Sequence, residues 1–112
     1  MKKITLIFLL IATVSLAQNI KTGAENYEKY LPLLKGKNVG IVTNQTSIVD
    51  EKTHLVDFLL SKNVKIKTIF APEHGFRGTA DAGEHVSDDI DQKTGLPIVS
   101  LYGKNQKPKP EQ

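Results

Sequence analysis

The chain has 112 residues, with 15 basic and 12 acidic side chains, a formal charge of +3 and no cysteine. The missing cysteine excludes a disulfide framework and argues against a lipid-anchored export signal. Electrostatic recognition of nucleic acid needs clustered lysine and arginine, and this chain carries a single arginine, Arg77.

The first segment reads as a leader. Met1-Lys2-Lys3 precedes an apolar run from Ile4 to Leu16, and Ser15 and Ala17 stand three and one residues before Gln18. A charged start, an apolar stretch and small residues at a cut site are the parts of a secretory signal peptide, so cleavage before Gln18 and a secreted or periplasmic product are expected. The alternative is an uncleaved anchor, but the run is shorter than the about 20 apolar residues of a spanning helix. After cleavage no stable membrane insertion is expected. Losing Lys2 and Lys3 brings the remainder, residues 18–112, close to neutrality.

Residues 24–34 place Tyr27, Tyr30, Leu31 and Leu34 at helical spacing, with Pro32 bending or interrupting the helix. Residues 38–43 are short, apolar and β-branched and read as a buried strand, followed by the polar loop Asn44-Gln45-Thr46-Ser47. A helix is expected from Lys52 or Thr53 to Ser61, capped by Asp50 or Thr53, with Leu55, Val56, Leu59 and Leu60 on its apolar face and Phe58 at the flank. Asn63 closes that helix, and the alternating run from Val64 to Phe70 reads as a second strand.

Strand, helix, strand in that span has the size of a βαβ crossover, which implies a Rossmann-like α/β domain with a parallel sheet. The loop at Asn44 and the loop after Phe70 then share the carboxyl edge of the sheet, where α/β folds bind ligands. No apolar period is sustained from Gly75 to Leu96. Pro97 to Tyr102 reads as a third strand, and Lys107 to Gln112 resembles the approach to a further helix, so the chain reads as a fragment.

Ala71-Pro72-Glu73-His74-Gly75-Phe76-Arg77-Gly78 sets an acid, an imidazole and a guanidinium between turn-forming residues at a strand's carboxyl end. The same residues also fit a solvated surface turn. Glu73 is the best candidate for chemistry, as a general acid: burial beside Phe76 would raise its pKa, while Arg77 would lower it. His74 suits a hydrogen-bonding role, and Arg77 suits a bidentate clamp on a substrate carboxylate. Asp81, Glu84, Asp88, Asp89 and Asp91, with His74 and His85, offer hard-cation ligands, but no standard metal-site spacing is present and no metal or cofactor is expected. A metal-dependent hydrolase is therefore the weaker reading. The glycines match neither a Rossmann fingerprint nor a P-loop. Asn44-Gln45-Thr46 matches a glycosylation sequon, but its place at a strand end argues against that use.

Four ordered segments resemble the NamZ-type exo-β-N-acetylmuramidases: Lys37 to Asn44, Ala71 to Gly78, Ala80-Asp81-Ala82-Gly83-Glu84, and Thr94-Gly95-Leu96-Pro97 through Ser100 to Lys104. The resemblance implies a secreted bacterial glycosidase that releases N-acetylmuramic acid from the non-reducing ends of peptidoglycan fragments. It also implies a two-domain fold, of which this chain is the incomplete N-terminal, Rossmann-like part, with the cleft closed by a C-terminal domain missing here. Glu73 matches the family's proposed catalytic glutamate. Asn44, His74, Arg77 and Glu84 are carried over as cleft residues, with the lactyl carboxylate of muramic acid as the group Arg77 would hold. A glycosidase usually needs two flanking groups; the second would be Asp81, Glu84 or a downstream acid, so the fragment alone is expected to be inactive. The alternative from another class is an exported, non-catalytic sugar-binding module.

Overall fold

The computed structural model describes residues 20–73, 75–78 and 87–112. The leader, His74, Asp81, Glu84 and His85 lie outside the described residues. The elements in chain order are α1 (Tyr27–Leu34), β1 (Asn38–Val42), β2 (Ile48–Val49), β3 (Thr53–His54), α2 (Leu55–Ser61), β4 (Lys65–Ala71), β5 (Asp89–Ile90) and β6 (Pro97–Ser100).

β1, β4, β6 and β5 form one sheet in that order. β1 pairs with β4 and β4 with β6 in parallel, whereas β5 adds an antiparallel edge to β6. The α/β architecture matches the sequence reading, and the parallel pairing brings the carboxyl ends of β1 and β4 side by side. Val42 is in register with Phe70, and the Thr43 amide continues the ladder by donating to the Phe70 carbonyl at 3.0 Å.

A bulge adjusts the faces of β4. Val39 pairs with Ile66 but Gly40 with Thr68, which leaves Lys67 as an extra residue. An inserted residue shifts the two-residue alternation by one. Ile66 and Ile69, three positions apart, therefore both reach the core, where they join Ile41, Val49, Val56, Phe58, Leu59, Val64, Ala71 and Phe76. Burying a side chain the size of Ile69 completely contributes about 1.5–3 kcal/mol.

Two local expectations are corrected. The helix expected from Lys52 or Thr53 begins at Leu55, because residues 48–54 form a hairpin, Ile48 opposite His54 and Val49 opposite Thr53. Asp50 and Glu51 take left-handed φ angles of 54° and 62° to make its turn. The cap is accordingly neither Asp50 nor Thr53 but His54, whose ring accepts from the Val56 amide. The helix ends as expected at Asn63, whose φ of 59° closes a Schellman motif: its amide donates to Leu60 O, and the Val64 amide donates to Leu59 O. α1 is a short helix of eight residues within the stretch 24–34, and it runs through Pro32. A turn precedes it in which Thr22 and Glu25 exchange backbone-to-side-chain hydrogen bonds, 2.6 and 3.3 Å, and the Tyr30 hydroxyl donates to the Ala24 carbonyl.

Candidate active-site edge

Three loops leave the carboxyl ends of β1, β4 and β6. The first is stiffened by Asn44, whose side-chain Oδ1 accepts from the amide and hydroxyl of Thr46 at 3.1 and 2.8 Å. This Asx turn leaves the Asn44 side chain half-buried at the sheet edge. The Asn44 carbonyl lies 2.8 Å from His54 Nε2. Because His54 Nδ1 accepts from the Val56 amide at 3.2 Å, Nε2 must carry the proton and donate. One neutral imidazole thus caps α2 and ties it to the β1 loop.

The second loop carries Glu73. It turns sharply, with the Gly75 amide donating to the Pro72 carbonyl at 3.2 Å and Gly75 at a φ of 73°. Glu73 stands exposed at this turn, so the burial that would raise its pKa is not found. Phe76 instead turns into the core at 3% exposure, where its ring meets the His54 ring edge to face, centroids 4.8 Å apart. The loop is therefore not a solvated turn along its whole length. Its far end is pinned beneath α2 while Glu73 projects outward.

Arg77 supplies the second pin. Its guanidinium lies 4.5 Å from the centre of the Phe76 ring and grips Asp91 with both Nε and Nη2, each at 2.7 Å. Nη2 and Nη1 also reach the Asp57 carboxylate on α2, at 3.2 and 3.4 Å, and Lys93 Nζ lies 2.7 Å from that carboxylate. Asp91 is only 5% exposed and accepts further from the amide and hydroxyl of Thr94, at 3.1 and 2.6 Å. The hydrogen bonds from Arg77, against the opposing effect of burial and with help from Thr94, hold the Asp91 carboxyl down at about 2. Burial pushes Asp57 upward, but the bonds from Lys93 and Arg77 outweigh it and the net shift is downward. Arg77 itself is raised, chiefly by Asp91.

The arginine fork that the sequence suggested for a substrate carboxylate is thus occupied by Asp91, with Asp57 alongside. Neither aspartate was singled out as its partner. They lie 14 and 20 residues away in the chain, so only the fold brings them together. Gly78, at a φ of 72°, closes the loop against the β1 side, where an added Cβ would sit 2.9 Å from Gln45 Cγ. Nearby, Thr43 Oγ1 and Gln45 Oε1 are buried without a hydrogen-bond partner among the described residues. Among those residues no three His, Cys, Asp or Glu side chains gather as metal ligands would, and no helix is long and apolar enough to cross a membrane.

With the Glu73 loop set beside the Asn44 loop, comparison with known proteins is decisive. The family described as exo-β-N-acetylmuramidase NamZ, N-terminal, matches residues 39–112. The chain belongs to the NamZ family. It is 43% identical over 94 residues to the peptidoglycan β-N-acetylmuramidase NamZ of Bacillus subtilis (strain 168), covering 82% of this chain and 23% of that protein. Two crystal structures of DUF1343 family proteins from Bacteroides fragilis NCTC 9343 are also similar. One is 41% identical with a TM-score of 0.68, over 81% of this chain and 22% of that one. The other is 44% identical with a TM-score of 0.58, over 75% of this chain and 21% of that one. The chain therefore spans less than a quarter of the length of these NamZ and DUF1343 relatives.

Proposed function

We propose that this chain is the N-terminal part of an exported glycoside hydrolase that releases N-acetylmuramic acid from the non-reducing ends of peptidoglycan fragments, with Glu73 as general acid or acid/base. The observation that carries the reading is the place of Glu73: exposed at the carboxyl end of β4, beside the Asn44 loop, in a chain of the NamZ family. In this mechanism Glu73 gives its proton to the glycosidic oxygen as the bond to the anomeric carbon breaks, and a second group on the opposite face attacks that carbon or activates a water. Asp81, Glu84 or an acid of a C-terminal domain would fill that second role. The acid role needs a water-poor setting around Glu73, which we assign to the bound sugar and to the second domain.

Asn44 is proposed as a sugar contact at this edge, and His74 and Glu84 as further sugar contacts by the family resemblance. Arg77 was a candidate clamp for the lactyl carboxylate. Its fork is filled by Asp91, so we assign it to holding the loop instead. The mechanism uses acids alone and calls for no cofactor. On this reading residues 1–112 by themselves turn over little or nothing, because one wall of the cleft is missing.

The test is Glu73→Gln in the complete protein that contains these residues, assayed on a chromogenic muramic-acid glycoside. The amide keeps shape and hydrogen bonding but has no proton to give, so turnover should fall by about 100-fold or more while the sugar still binds. Binding without turnover in the unsubstituted complete protein would instead identify a sugar-binding module.

A further inference from the structure

We propose that Asp91 is a positioning residue for Glu73: by locking Arg77, with Asp57 as second partner, it fixes residues 75–78 and so sets where the Glu73 carboxylate stands. The inference rests on the role proposed above for Glu73. An exposed side chain on a turn has no packing of its own to place it, so its position is inherited from the backbone on either side. Upstream, Ala71 is buried in β4 and its carbonyl accepts from the Leu101 amide at 2.8 Å. Downstream, among the described residues, Gly75 is held by its bond to the Pro72 carbonyl, Phe76 by the core and Arg77 by Asp91.

Arg77 joins three parts of the fold: its own loop, α2 through Asp57, and the turn before β6 through Asp91. Asp91 is the stiffest of these attachments. Its carboxylate takes the planar guanidinium edge bidentately, which fixes direction as well as distance. Its own place is set by Thr94 and by backbone bonds, with its amide donating to Leu96 O at 2.9 Å and its carbonyl accepting from Gly95 N at 2.7 Å. Loss of this grip would let the Arg77 end of the loop shift, and a displacement of about 1 Å at a reacting group is enough to cost about 100-fold in rate.

The experiment compares Asp91→Asn, Arg77→Lys and Glu73→Gln in the complete protein. Thermal midpoint, kcat and KM on the chromogenic glycoside, and hydrogen exchange of the loop amides are measured at a temperature where each variant is folded. Asp91→Asn should lower kcat by about 10-fold or more with little change in KM, and should speed exchange at residues 75–78 while β4 stays protected. Arg77→Lys keeps the charge and loses the bidentate edge, so it should show the same pattern and serves where Asp91→Asn does not fold. A purely fold-stabilising ion pair would lower the thermal midpoint and leave kcat and loop exchange in the folded fraction as they were; that result overturns the proposal. If Glu73→Gln keeps near-normal activity, the role of Glu73 fails separately. The lock is then judged on exchange alone, supported by faster exchange confined to the loop and overturned by none.

Discussion

The rings of His54 and Phe76 meet edge to face, 4.8 Å apart at 87°, and through this contact the N-terminus of α2 holds the loop after β4. The same histidine accepts from the Val56 amide and donates to the Asn44 carbonyl. One side chain therefore serves as helix cap, loop tie and floor for the Glu73 loop.

Replacing His54 by alanine should accordingly do more than remove an ordinary cap. A lost cap costs about 1 kcal/mol and a lost aromatic pair about 0.5–1.5 kcal/mol, so a destabilisation of about 2 kcal/mol is expected in urea unfolding of the complete protein. A change within about 0.5 kcal/mol, the range of ordinary surface substitutions, would show that these contacts do not hold the two loops.

Acid should loosen the Arg77 anchorage. Asp91 has a folded-state value of about 2 against an ordinary 3.8. A depressed carboxyl pKa adds stability that is complete above the unfolded value and is lost as pH falls through the folded one, so the window runs from about pH 4 down to about pH 2. About 1–2 kcal/mol is involved after allowing for solvent screening. Asp57, facing Arg77 and Lys93, shifts the same way and adds to the slope. Unfolding free energy followed across this window should fall more steeply in the unsubstituted protein than in Asp91→Asn. Equal slopes would count against the Arg77–Asp91 pair.

Much of the frame was legible because it rests on local patterns. The β-branched runs at residues 38–43 and 64–70 and the apolar face between them gave the two parallel strands and the helix, and with them the shared edge of the Asn44 and Glu73 loops. The hairpin at residues 48–54 was hidden because Asp50 and Glu51, not glycine or asparagine, take its left-handed positions. His54 carries no signal of its own in the sequence, and only the distant Asn44 carbonyl and Phe76 ring reveal its role. The strand Asp89–Ile90 is too short for any period to show. At the site, Glu73 and Arg77 are marked by residue type and loop position, and Asn44 by the family resemblance. Asp57 carries no mark and Asp91 only that of a possible cation ligand, because an ion pair spanning 14 or 20 residues leaves no spacing signal.

Export is a separate expectation of the proposed function. The leader read in residues 1–17 should be removed, so mass spectrometry of the secreted or periplasmic product should find Gln18 at the N-terminus. Recovery of Met1 in a membrane fraction would show an uncleaved anchor instead.

The central claim is that Glu73 supplies the proton for glycosidic cleavage, and the most direct measurement is the turnover of Glu73→Gln in the complete protein on a chromogenic muramic-acid glycoside. The account predicts a fall in kcat of about 100-fold or more with substrate binding retained. Near-normal turnover by that variant would contradict it and pass the acid's role to Asp81, Glu84 or an acid of the second domain.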